Sequence, residues 1–99
     1  MTIFEHLEQW LSENRTHFQT EGISVALTRC QPTDNTAAYF DIDTETVMAR
    51  ATVWQSKEID FEAIQTATAR KFISEIYQAK DIMELFLLLD DFFVRLRLL

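Results

Sequence analysis

The side chains that could carry catalysis or bind a metal are two histidines, one cysteine and several neighbouring carboxylates. His6 and His17 fall on one predicted helix, eleven residues apart, which separates them by about 16 Å along its axis and prevents a shared metal site. Glu13 and His17 have i, i+4 spacing, which we interpret as a solvated helix pair. Cys30 is the only cysteine and excludes an internal disulfide or a cysteine-based metal site. With only Arg29 beside it, Cys30 is interpreted as a structural thiol.

The neighbouring carboxylates, Asp41 with Asp43 and Asp90 with Asp91, come with no basic residue that could orient them and no pocket signal. We interpret them as solvated. The chain has a single glycine, so a glycine-rich phosphate loop is absent. These observations predict a protein that is not an enzyme and that uses no cofactor and no metal.

Length and charge restrict the function further. The 99 residues form one predicted domain, 1–99, and 47% of them are hydrophobic, which is enough for a core without disulfides. The formal net charge is −7, which argues against direct nucleic-acid binding and favours a basic partner. The first ten residues lack a basic signal-peptide region and the longest apolar run, Leu85 to Leu89, has five residues. The sequence therefore predicts a soluble cytoplasmic protein with no membrane contact.

A helix is predicted over residues 3–20. Thr2 and Glu5 have the spacing of a capping box, and Gly22 suits the left-handed position that follows a helix end. The apolar residues recur at helical spacing. They are Phe4, Leu7, Leu11 and Phe18, with Ile3 and Trp10 at the margin.

The middle of the chain changes to strand periodicity. Alternation begins at Ile23, and further strands are predicted over 37–43, 46–54, 58–64 and 71–78. The connections between the later strands are short, which indicates an antiparallel meander of four to five strands. A second helix is predicted over 81–97, starting at a capping-box-like Asp81–Glu84 pair and ending near Arg95 and Arg97. The fold class is α+β, with both helices packed on one face of the sheet.

The second predicted helix has more apolar surface than one buried side requires. Its extra apolar residues are Met83, Leu87, Leu88, Val94 and Leu98. This pattern predicts a helix that is buried on two sides or that dimerises.

Strand alternation sorts the sheet residues into two faces. The predicted core face holds Val25, Leu27, Phe40, Ile42, Val47, Ala49, Ala51, Val53, Ile59, Phe61, Ala63, Phe72 and Ile76. The opposite face holds Tyr39, Asp41, Asp43, Met48, Arg50, Thr52, Trp54, Glu58, Asp60, Glu62, Ile73, Glu75 and Tyr77. Tyrosine and tryptophan are enriched at binding hot spots, and this face combines them with acids. We predict the binding surface at Tyr39, Asp41, Asp43, Arg50, Trp54, Glu58, Asp60 and Glu62. The alternative location is the loop 31–36 with the rim of the second helix, where Asp34, Asp81 and Asp90 would meet the partner.

Most of the chain resembles the TriTu family of immunity proteins from contact-dependent growth inhibition systems. The resemblance rests on EGISV (21–25), the strand pair YFDID and TVMARATVWQS, the segment EIDFEAI (58–64) and the acidic, leucine-rich C-terminal helix. Its most distinctive part is ATVWQSKEIDFEAI (51–64). Relatives carry an acid after the tryptophan and a glycine in the tight turn, where this chain has Gln55 and Lys57.

The resemblance implies an immunity protein that neutralises the C-terminal toxin domain of a large exoprotein by stoichiometric binding. It implies a toxin that is a tRNA-cleaving nuclease acting with EF-Tu, so that EF-Tu is a second partner through a ternary complex. The acidic charge agrees with a basic nuclease as partner. Two other readings stay open from the residues alone: an acidic nucleic-acid mimic that inhibits a different protein, and a small adaptor or secretion chaperone.

Overall fold

The computed structural model describes residues 2–97, which form an α+β fold of two helices and five strands. The elements in chain order are α1 (Ile3–Thr20), β1 (Ser24–Arg29), β2 (Ala37–Asp43), β3 (Val47–Trp54), β4 (Glu58–Gln65), β5 (Arg70–Gln78) and α2 (Ile82–Arg97). The predicted helices and strands are confirmed, with bounds that differ by no more than one residue.

Both ends of α1 form as predicted. The Thr2 hydroxyl accepts from the Glu5 N–H, and the Glu5 carboxylate accepts from the Thr2 N–H, which completes the capping box. At the other end Gly22 has φ +73°. The Ile23 N–H donates to the Phe18 carbonyl and the Gly22 N–H donates to the Gln19 carbonyl, so the helix closes in a Schellman motif. Phe18 and Ile23 are both buried, which fixes the direction in which the chain enters β1.

The start of α2 differs slightly from the predicted capping box. Asp81 Oδ1 accepts from the Glu84 N–H at 2.9 Å, as expected. The Glu84 carboxylate returns to the N–H of Lys80, one residue earlier than in a standard box. Arg95 and Arg97 lie in the last turn, as predicted. Leu98 lies outside the described residues.

The strands form one antiparallel sheet in the order β1-β2-β3-β4-β5, so the predicted meander is confirmed. The tight turn between β3 and β4 places Lys57 at φ 69°, a position that glycine occupies more easily. The Lys57 N–H donates to the Trp54 carbonyl at 2.8 Å and closes the turn. The turn therefore forms without the glycine that the family resemblance leads one to expect.

Both helices pack on one face of the sheet, around Trp10. Its ring contacts Phe18 within α1, Phe40 on β2, and Phe86 and Phe93 on α2, with centroid distances of 5.4 to 6.2 Å. Phe61 on β4 stacks on Phe92 of α2 at 4.4 Å. The largest fully buried side chains are Phe40, Phe61, Phe92, Phe93, Leu7, Ile42, Ile59, Leu85, Leu89, Val47 and Val53. The core therefore lies between this face and the two helices.

The predicted orientation of β5 is wrong after its first residues. A bulge at Ala63/Ile64 leaves Phe72 without a partner in register, and Phe72 and Ile73 both pack toward the core. Because the extra residue reverses the alternation that follows it, Glu75 and Tyr77 lie on the helix side. Ile76, predicted in the core, lies on the opposite face and is 65% exposed.

This reversal gives Glu75 a partner on α2. Arg95 Nη1 and Nη2 donate to the two Glu75 carboxylate oxygens, each at 2.8 Å, and the Tyr77 hydroxyl donates to Glu75 Oε1 at 2.6 Å. The Arg95 guanidinium and then the Tyr77 hydroxyl lower the pKa of Glu75 to about 2. The pair joins the edge of the sheet to the last turns of α2.

We expect Glu75→Gln to lower the free energy of unfolding by about 1 kcal/mol at pH 7, a modest figure because both side chains are about one-third exposed. A carboxylate with a lowered pKa stabilises the fold above its unfolded pKa, and this contribution is lost as pH falls toward 2. Urea unfolding of both proteins between pH 7 and pH 2 measures the difference. It should shrink below about pH 4, and a constant difference would contradict this assignment.

One side of α2 stays uncovered. Met83, Leu87 and Val94 line an exposed ridge and are 72%, 63% and 48% exposed. The helix is thus buried on one side within residues 2–97, and the predicted burial on two sides is not observed there. No helix in this part of the chain is long and apolar enough to cross a membrane.

Candidate functional site

The sheet face opposite the helices, called the outer face below, carries all eight residues that the sequence predicts for binding. They are Tyr39, Asp41 and Asp43 on β2, Arg50 and Trp54 on β3, and Glu58, Asp60 and Glu62 on β4. Alternation positions them because the residues between them are buried, as in the pattern of β2. The helices do not cover this face, so it is open across the three central strands.

The centre of the outer face is a row of alternating charge across three strands. Asp41, Arg50 and Glu62 are neighbours in register on β2, β3 and β4. Arg50 Nε donates to Asp41 Oδ1 at 2.8 Å, and the guanidinium lies over the Tyr39 ring, 4.1 Å from its centroid. Lys71 Nζ on β5 lies 3.3 Å from Glu62 Oε1. Arg50 is thereby held in place by an acid and an aromatic ring.

The acids of β4 are less well compensated. Burial and then the charge of Glu62 raise the pKa of Asp60, Lys71 partly opposes them, and Glu58 raises the pKa by a smaller amount. Thr52 and Ile76, the cross-strand neighbours of Asp60, carry no positive charge. Asp60 is therefore an acid of the outer face whose ionised form a positively charged group of a partner would stabilise.

Large apolar side chains surround these charges. Trp54 lies half-buried at the end of β3 beside the small Ala37, and Met48 is 47% exposed beside Ile64. A shallow depression of about 200 Å³ lies between Asp41, Met48, Arg50, Glu62, Ile64 and Lys71. A hollow this shallow suits one protruding side chain of a protein better than an enclosed small molecule.

Of the groups considered for catalysis, Asp41 and Asp43 lie on the outer face and the histidines lie on α1. His17 on α1 approaches Glu21 at 3.2 Å, and Glu13, its predicted partner, instead accepts from Gln9. The pairing changes because Glu21, one turn further on at the end of α1, lies within reach of the imidazole. Cys30 is half-buried just after β1. Within residues 2–97, no group of three or more His, Cys, Asp or Glu side chains could hold a metal ion.

Sequence reasoning did not place several β5 residues on the outer face, among them the three nearest Glu62 and Asp60. Lys71, Ser74 and Ile76 face the same side as Glu62 and Asp60, and Ile73, Glu75 and Tyr77, which were predicted there, do not. In the segment KFISEIY, apolar residues occupy both odd and even positions, so alternation alone does not show which side of β5 faces the core. Only the position of the bulge decides which set faces outward.

Comparison with known proteins identifies a family to which the chain is similar. The family model described as "Immunity protein TriTu" matches residues 5–95, nearly the whole chain. No curated protein matches it. The match covers most of both helices, all five strands and every residue of the candidate surface. The chain therefore belongs to the TriTu family of immunity proteins.

Proposed function

We propose that this protein neutralises its cognate toxin by covering it with the outer face. Membership of an immunity protein family implies a toxin as partner. The observation that supports the outer face is its combination of Tyr39, Trp54 and an ion-paired Arg50 with incompletely compensated acids at β4. Such a surface suits a basic partner, because aromatic anchors supply affinity and acids supply complementary charge.

The toxin we propose is a basic, tRNA-cleaving nuclease that acts with EF-Tu and is delivered by contact-dependent growth inhibition. A nuclease needs positive charge around its substrate site, and this chain carries 16 acidic and 9 basic residues. Inhibition is by stoichiometric binding in the cytoplasm without catalysis, and EF-Tu joins through a ternary complex with the toxin. The family resemblance supplies the nuclease class and EF-Tu, and the charge of the chain agrees with them.

Calorimetry and a rescue assay test this function together. The chain should bind the cognate toxin domain 1:1 with a nanomolar or lower Kd, which a standard interface of about 1,600 Å² permits. Co-expression should restore growth to cells that produce the toxin, and adding EF-Tu should yield a ternary complex in size-exclusion chromatography. Micromolar binding or failure to rescue growth would exclude the immunity function. Rescue without a ternary complex would exclude only the role of EF-Tu.

Reversing charge at Asp60 and Glu62 should slow association with the toxin about tenfold at low salt, because acids on the docking face steer a basic partner toward it. Asp60→Lys with Glu62→Lys changes the net charge from −7 to −3. Stopped-flow association at several salt concentrations measures the effect, which should fade as salt screens the charges.

Asp34→Lys with Asp90→Lys is the matched control, since it produces the same net charge on the loop and on α2. It should slow association much less. If the control pair slows association more than the β4 pair, the interface lies at the loop and α2, and the outer face is only solvated.

A further inference from the structure

Within residues 2–97, the edge of the sheet formed by β5 has no neighbouring strand. β5 is the terminal strand and, with nine residues, the longest, and among residues 2–97 it pairs only with β4. It contains no proline, and its bulge lies near its start, so Ile73 to Gln78 form a regular segment. Natural proteins usually protect such an edge with proline, outward charge or a covering element.

The direction of each N–H on this edge follows from one hydrogen bond. The Ala79 N–H donates to the Lys57 carbonyl at 3.0 Å, directly beyond the Glu58–Gln78 pair. Since donors alternate along an antiparallel strand, Tyr77 and Glu75 direct their N–H groups to β4. The N–H groups of Ser74, Ile76 and Gln78 therefore point away from the sheet.

Two consecutive large side chains on this edge are exposed on opposite faces. Ile76 is 65% exposed on the outer face and Tyr77 is 39% exposed on the helix side. A partner lying flat on either face would cover one of them. An added strand would cover both, because its own side chains alternate between the two faces.

The charges beside the edge identify the kind of strand that fits. On the outer face, Ile76 and Ser74 separate the edge from Asp60 and Glu62, their partners in register on β4. The aliphatic stem of a lysine or arginine can lie over Ile76 while its charged end reaches Asp60. Ser74 is short and leaves a similar path to Glu62, although Lys71 already lies 3.3 Å from that carboxylate.

We propose that the open edge of β5 receives an extended segment of the toxin, with lysine or arginine at alternate positions, as a sixth antiparallel or parallel strand. This inference rests on the proposed function and names the mode of recognition. Main-chain hydrogen bonds to Ser74, Ile76 and Gln78 give affinity, and the acids of β4 select basic side chains. The added strand extends the outer face toward the body of the toxin.

Ser74→Pro tests the edge, since it removes one outward N–H and proline is tolerated on an edge strand. Ser74→Ala keeps that N–H and is the matched control. With the cognate toxin domain as probe, we expect Ser74→Pro to raise the Kd at least about tenfold and Ser74→Ala to change it less than about twofold. Circular dichroism and thermal unfolding show whether Ser74→Pro is folded.

Amide hydrogen exchange of the unaltered protein gives a second readout that needs no variant. Binding the toxin should slow exchange at Ser74, Ile76 and Gln78 at least about tenfold, and Glu75 and Tyr77 should be protected already in the free protein. Tight toxin binding with unchanged exchange at the three amides overturns the inference and leaves the proposed function standing. Protection of these amides in the free protein, in step with dimer formation, also overturns it, because a second copy then occupies the edge. If the unaltered protein does not bind the toxin, both fail.

Discussion

Trp54→Ala should raise the Kd for the toxin about 30-fold or more, a loss on the order of 2 kcal/mol. Trp54 ends β3 on the outer face, half-buried beside Ala37, whose small side chain covers little of the indole. A tryptophan in this setting supplies a large contact area at little conformational cost when a partner covers it. Surface plasmon resonance should show the loss mainly as faster dissociation.

Leu87→Ala is the control for Trp54. Leu87 is a large apolar residue on the exposed ridge of α2 and is 63% exposed, more than the half-buried Trp54. Its truncation should change the Kd less than about twofold, because the ridge faces away from the outer face. Normal binding by Trp54→Ala together with weak binding by Leu87→Ala would place the interface on α2.

Phe92→Ala should lower the free energy of unfolding by about 3–5 kcal/mol. Phe92 is 1% exposed and stacks on Phe61 at 4.4 Å, so its removal leaves a cavity between α2 and β4. A small domain has a total stability of about 5–15 kcal/mol, so this loss is large enough to unfold a substantial fraction at 37 °C. Urea unfolding at 25 °C measures the change.

Val94→Ala, on the exposed ridge of the same helix, is the matched truncation. It should change the stability by less than about 0.5 kcal/mol, because Val94 is 48% exposed and alanine favours helix. A loss below about 1.5 kcal/mol for Phe92→Ala would mean that the core closes around the missing ring.

The sequence predicts most of this fold because its local signals agree with its tertiary contacts. Strict alternation in EIDFEAI places Glu58, Asp60 and Glu62 on one side, and the structure confirms it. Thr2 with Glu5, and Gly22, mark the ends of α1 by chemistry that involves only nearby backbone. These features could be found without knowledge of the rest of the chain.

The edge of the sheet could not be predicted in the same way. A bulge depends on pairing with a neighbouring strand, and the orientation of Glu75 depends on Arg95, twenty residues away. Because apolar residues occupy both odd and even positions of β5, alternation could not show which side of the strand faces the core. The prediction therefore assigned Ile73 and Ile76 to the wrong faces. The residues that face outward were therefore predicted correctly on β2, β3 and β4 and wrongly on β5.

The order of the strands has a kinetic consequence. Each strand from β2 onward pairs with the strand that precedes it in the chain. All four strand pairings of the sheet therefore close only short loops. The two ends of the chain meet where α1 packs against α2, for example where Trp10 contacts Phe86 and Phe93. Proteins with such local contacts fold faster than those with crossed strand orders, and refolding followed by tryptophan fluorescence should finish within roughly milliseconds to tenths of a second. An immunity protein that folds this quickly can bind its partner soon after synthesis.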